Sequence, residues 1–179
     1  MENKRAGGRK QYLNDFRPSV NGEYIYTGGF YKLEMEQSRV KGLRTKMTVS
    51  VIITAAFVLT AGILPAAGSI SCFYVILPFL AVMICCFVST WKICRLLASG
   101  LMVREYIYEK TVPTVPGWLL AESISAAATL IGEAVYLIIN GVDGREVYTA
   151  AFICMLILTV SACLMMRSFF REIRWIKNE

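Results

Sequence analysis

Two acidic side chains, Glu122 and Glu133, stand inside the apolar stretch Gly117–Asn140, which is long enough to cross a bilayer as a helix. Eleven residues at about 100° each come to roughly 20° beyond three full turns, so both carboxyls fall on one face. Thr129 and Tyr136 lie within a quarter-turn of that stripe, with Ser125 and Asn140 near its ends. A carboxyl inside a membrane span costs on the order of 2.5–3.5 kcal/mol at mid-depth and by default faces protein or water. Such a stripe can bind a proton, hold a cation, or tie helices together through hydrogen bonds.

The two acids stand about 16 Å apart along the axis at 1.5 Å per residue, so they cannot form a carboxyl dyad. Glu122 lies near one end of its span, where Lys92 and Arg95 close the preceding apolar run and are long enough to reach it. Its plain reading is an orienting ion pair; a cation-entry role is the sharper one. Apart from Lys92, at the opposite end of its run, no Lys or Arg lies within an apolar run to pair with Glu133. It is either a neutral acid bonded to Ser, Thr or Tyr, or a group handling protons or cations, or a contact to a partner membrane protein. Arg145 in the following connection could fold back toward it.

Other chemistry finds little support. Histidine is absent, which removes the commonest metal ligand and the usual general base near neutral pH. The cysteines, Cys72, Cys85, Cys86, Cys94, Cys154 and Cys163, form no Cys-x-x-Cys pair and mostly sit in apolar runs, where a thiol is a small hydrophobe. A thiol oxidoreductase of this size would need cysteine pairs at the membrane surface, and only Cys72 is well placed for that. Phosphate-cradling glycine loops, zinc-protease motifs and Gly-x-Ser-x-Gly elbows are not found. No catalytic residue, metal or cofactor is therefore expected.

The elements that would position the stripe are read from hydropathy. The 179 residues are 56% hydrophobic, with mean hydropathy +0.52 and formal charge +6, too apolar for an ordinary soluble domain. Four apolar runs, about 47–64, 70–93, 118–139 and 147–166, approach or exceed the ~18–20 residues of a transmembrane helix. Pro65 and a short Ala-Ala-Gly-Ser connection end the first, and Pro78 is expected to kink the second. The fold expected is an all-α integral membrane protein, a four-transmembrane-helix bundle over 47–166, with an N-terminal segment 1–46 and a basic tail 167–179.

Residues 1–22 are polar, basic and rich in breakers, and read as mobile or loosely docked. A secretory signal would begin its apolar region sooner than residue 47. Glu23–Tyr31 suits a short strand or hairpin. Its tetrapeptide Glu23-Tyr24-Ile25-Tyr26 returns as Glu105-Tyr106-Ile107-Tyr108, and the two could pair as strands under the bundle or match by coincidence. Phe30, Leu33, Val40 and Met47 recur at three- and seven-residue steps and suit an amphipathic helix feeding the first span, with Gly42 marking a bend. Small residues four apart in the third span, such as Ser123/Ala127 and Ala128/Gly132, would let helices approach closely.

Eighteen of the nineteen Lys and Arg residues fall in the N-terminal segment, the connection after span two and the tail, leaving only Arg145 opposite. By the positive-inside rule both termini are cytoplasmic, and Trp91, Trp118 and Trp175 stand near that face. The expected surroundings are a cell-membrane bilayer and its anionic lipid head groups, rather than nucleic acid. A homo-oligomer or a partner membrane protein is also open. The function expected is a non-enzymatic accessory or interaction protein. The alternative is a proton- or cation-coupled carrier or channel subunit using Glu133, with Thr129 and Tyr136 lining the route and Glu122 at its cytoplasmic mouth.

Overall fold

In the computed structural model, residues 16–18, 24–26, 28–34, 37–100, 102–141 and 144–178 are described. The chain is mostly helical. Its elements in order are β1 (Phe16–Pro18), β2 (Tyr24–Tyr26), β3 (Phe30–Leu33), α1 (Gln37–Ile63), α2 (Ala67–Ser71) and α3 (Phe73–Ala98). Then follow β4 (Met102–Arg104), α4 (Glu105–Thr111), α5 (Val115–Asn140), α6 (Glu146–Glu172) and β5 (Trp175–Asn178). Among these, four helical stretches are long and apolar enough to cross a membrane.

The long helices stop where backbone chemistry requires it. Pro65 follows closely on the end of α1, because a proline disfavours helical geometry in the residue before it. Gly100 and Gly141, at φ +83° and +77°, take the left-handed turns that follow α3 and α5. Pro116 sits in the first turn of α5, where its missing N–H costs nothing. The helix α3 runs on through Pro78.

The bundle is held by α5, which packs against both α3 and α6, while α1 packs on α6 and α3. One apolar cluster surrounds Val58, Val75, Val82, Phe152 and Leu156, and a second surrounds Met47, Ile93, Leu119, Met166 and Phe170. Outside the bundle, large side chains such as Ile63, Phe73, Phe87, Ile138 and Met165 stay exposed on the long helices. So much exposed apolar surface is what a lipid-facing protein presents and a soluble one rarely does.

The second cluster is roofed by a three-stranded antiparallel sheet in the order β4-β3-β5. Tyr31 pairs with Val103 on one side and Lys177 on the other. Because β3 precedes α1, β4 follows α3 and β5 follows α6, this sheet gathers all three segments at one end of the bundle. The other end carries α2 and the turn between α5 and α6. Tyr31 stacks on Tyr108 at 3.9 Å, and Tyr108 meets Trp175 edge-on at 5.6 Å, joining α4 to the sheet.

Several expectations change here. The two Glu-Tyr-Ile-Tyr segments do not pair: Tyr24–Tyr26 pairs with β1, whereas Glu105–Tyr108 is helical in α4. The helix wins because it turns Ile107 and Thr111, four residues apart, into the core together. Glu105 N–H instead donates to Gly29 O, just before β3, at 2.9 Å. Phe30 and Leu33 belong to a strand rather than an amphipathic helix, because β4 and β5 supply hydrogen-bond partners on both edges of β3. The helix then starts at Gln37 and continues past Gly42.

Within the basic tail, residues 167–172 continue α6 and Trp175–Asn178 form β5. The fold is therefore not purely α. Span two is preceded by a separate short helix, α2, broken from α3 at Cys72, whose backbone is extended (φ −131°, ψ 123°). Of residues 1–22, read as mobile or loosely docked, Phe16–Pro18 forms a strand; residues 1–15 and 19–22 lie outside the described residues.

Candidate functional site

The centre of the stripe on α5 is internal, while Ser125 is half-buried and Asn140 exposed. Glu122, Thr129 and Glu133 are each 0% exposed, and Tyr136 is buried beside them in sequence register. The two acids serve different ends of the bundle.

Glu133 reaches the short helix α2. Helix starts leave backbone N–H groups without partners, and α2 has no cap from its own Ala66. Two other helices supply the missing acceptors. Gly68 N–H donates to Glu133 Oε1 at 3.1 Å, and Ala67 N–H donates to Thr149 Oγ1 at 3.1 Å. A carboxyl accepting from the first turn of a helix also meets the positive end of the helix dipole. Space is as tight as the hydrogen bonding. A Cβ on Gly68 would collide with Glu133 Oε2 and come within 3.0 Å of Glu133 Cδ and 3.2 Å of Tyr136 Cγ. Only glycine admits both side chains. Glu133 Oε2 is buried with no hydrogen-bond partner among the described residues.

Glu122 sits between α3 and α6. Ser89 Oγ–H donates to Glu122 Oε2 at 3.1 Å and stands 3.0 Å from the carbonyl of Cys86. The thiols of Cys86 and Cys163 flank the carboxyl; as weak donors they leave Oε1 without a hydrogen bond of ordinary geometry. One carboxyl thus gathers a hydroxyl and two thiols from two neighbouring helices.

Thr129 donates back to the carbonyl of Ser125 at 2.9 Å, the local bond a helical threonine makes. Ser125 is half-buried and contributes that carbonyl. Asn140 Nδ2–H donates to Tyr136 O at 3.3 Å. Gly132 brings α5 against α3: a Cβ there would stand 3.0 Å from the carbonyl of Tyr74. The close approach expected of Ala128/Gly132 is thus found at Gly132, whereas Ala128 is exposed.

The expected cationic partners of Glu122 are engaged elsewhere. Lys92 Nζ donates to Thr114 Oγ1 at 2.7 Å and to Lys110 O at 3.0 Å, where α4 ends and α5 begins. Arg95 lies over the ring of Tyr106, 5.8 Å from its centroid. Both cations satisfy carbonyl, hydroxyl and aromatic groups at the sheet end.

Sequence reasoning missed Gly68, Thr149, Ser89, Cys86 and Cys163. Each belongs to a different helix from the acid it meets, so spacing along the chain carries no trace of the contact. The one available signal was a lone glycine within the Ala-Ala-Gly-Ser connection. Among the described residues, no group of three or more His, Cys, Asp or Glu is arranged to hold a metal ion.

No protein-family model, no curated protein and no solved structure matches this chain.

Proposed function

We propose that this chain is a four-span integral protein of the cell membrane, with both ends in the cytoplasm, acting as a non-enzymatic accessory or interaction protein. The exposed apolar side chains around four long helices support insertion. The sheet supports the topology, because it gathers at one end the three segments in which eighteen of nineteen basic residues occur. The observation that carries the accessory reading is the hydrogen bond from Gly68 N–H to Glu133. It supports a fastening role for the best transport candidate, holding α2 against α5. Glu122 fastens α3 in the same way through Ser89.

A second reading rests on a different observation. Glu133 Oε2 is buried without a hydrogen-bond partner among the described residues, and Glu122 Oε1 faces only weak thiol donors, which favours a group that takes up a proton or cation. The two readings part on one substitution. Glu133→Gln keeps the acceptor that Gly68 uses, so under the accessory reading the protein stays folded and its specific membrane partner is still recovered by crosslinking in native membranes. Under the carrier reading the same variant loses pH-driven flux in proteoliposomes. Flux in the parent that Glu133→Gln abolishes would overturn the accessory reading.

A further inference from the structure

A groove opens between the start of the first long span and the end of the last. Its volume is about 500 Å³, within the range of sites that hold a small ligand. Its walls include Met47 and Val49 from α1 and Met165, Met166 and Phe169 from α6. Val49 and Met165 are exposed, so the groove is open along its length to whatever surrounds the bundle. Lys46, also exposed, provides the one charge among the described lining residues, and no acid among them opposes it. Nearby Arg44 is already engaged, donating to the carbonyl of Leu97.

We infer that this groove binds one anionic phospholipid, its phosphate against Lys46 and an acyl chain along the Met165–Phe169 wall. The inference rests on the membrane reading proposed above and deepens it by naming a lipid class and a place. The groove lies at the sheet end, where the positive-inside count places the cytoplasmic leaflet with its anionic head groups. A lysine at that level keeps its stem on apolar surface and its ammonium among phosphates. Unbranched methionines adapt to a flexible chain better than branched residues would. Charge complementarity therefore selects the head group, and the apolar walls hold the tail.

Native mass spectrometry of the full chain in mild detergent tests this, with phosphatidylglycerol or phosphatidylcholine added at matched concentration. One phosphatidylglycerol is expected to bind preferentially. Lys46→Gln should weaken it about fivefold, the effect of one basic residue at an anionic surface. Val49→Trp, which fills the groove, should displace the lipid while Lys46 is intact. Both positions are exposed, so neither change disturbs the core. Equal binding of the two lipids, or unchanged phosphatidylglycerol binding in both variants, would overturn the inference. So would a lipid-free dimer that Val49→Trp dissociates, since a second copy would then occupy the groove. Alkaline extraction separates membrane insertion from lipid selection. A chain washed from vesicles refutes insertion itself, whereas a retained chain without lipid preference refutes only this site.

Discussion

Replacing Gly68 by alanine should be among the most damaging single-methyl additions in the protein. The added carbon would overlap Glu133 Oε2 and crowd Glu133 Cδ at 3.0 Å and Tyr136 Cγ at 3.2 Å, in a region where Glu133 is 0% exposed. Forcing a methyl into a packed interior costs about 1–3 kcal/mol. If the carboxyl moves aside, the Gly68 N–H also loses its buried acceptor, a further ~1–3 kcal/mol. The expected loss is therefore about 2–6 kcal/mol, a large share of a typical domain's ~5–15 kcal/mol. Denaturing-detergent titration of the purified chain would measure it, with Gly42→Ala as control. Gly42 lies inside α1, where an added Cβ would meet nothing within 4 Å, so alanine there should stabilise by about 0.5–1 kcal/mol. Cys72, at the junction of α2 and α3, gives a local readout: its maleimide labelling should accelerate when α2 is dislodged. Shortening the acid at the same time, as Gly68→Ala with Glu133→Ala, should cost less than the two single changes together, because the methyl then has room. Equal stability of Gly68→Ala and Gly42→Ala, or strict additivity with Glu133→Ala, would refute the account of this contact.

Other perturbations follow from the same geometry. Thr149→Val removes the acceptor for Ala67 N–H and should cost about 1–3 kcal/mol in the same titration; no loss would mean α2 does not depend on α6. Phe152→Ala empties a fully buried site against Phe79 and should cost about 3–5 kcal/mol, with a value near that of a surface change counting against the described core. Lys177→Ala should cost less than about 1 kcal/mol despite the 2.5 Å ion pair with Glu105, because Lys177 is exposed and Glu105 only half-buried, so solvent screens the pair. A larger loss there would mean that β5 holds the sheet through charge rather than through its backbone ladder.

The long helices were legible because a lipid-facing helix must be apolar nearly all round, and that leaves unbroken runs such as Val147–Met166 in the sequence. Their ends were less so. The first helix begins at Gln37, ten residues before the apolar run; the spacing of Val40 and Met47 announced a helix there but did not mark its start, which Phe30 and Leu33 placed too early. The face shared by Glu122 and Glu133 was legible from helical period alone, and both are buried as that period implies. Their partners were not. Whether Lys92 reaches Glu122 or Thr114 depends on how α3, α4 and α5 stack, and charge attraction gives no ranking between a distant acid and a nearby carbonyl. The same limit hid the sheet, since Phe30–Leu33 becomes a strand only because Met102–Arg104 and Trp175–Asn178 arrive beside it.

The eleven-residue spacing of the two acids acquires a physical meaning from these contacts. It keeps both carboxyls on one face while placing them at different depths, so each meets a different set of neighbours. Glu133 binds the first turn of a helix too short to sustain itself, since an isolated five-residue helix has little intrinsic stability. Glu122 meets Ser89 inside the interface of α3 and α5, two long helices that apolar contacts already bring together. The two positions therefore differ in what they hold. Loss of Glu133 should release α2 and expose Cys72 while the long helices stay assembled, whereas loss of Glu122 should leave Cys72 protected and loosen α3 against α5 and α6. Site-resolved thiol labelling of Glu133→Ala and Glu122→Ala decides it, with Cys72 reporting on the first and buried Cys86 and Cys163 on the second. Identical labelling patterns in the two variants would mean that the stripe acts as one unit, which would favour a shared proton or cation path over two independent fastenings.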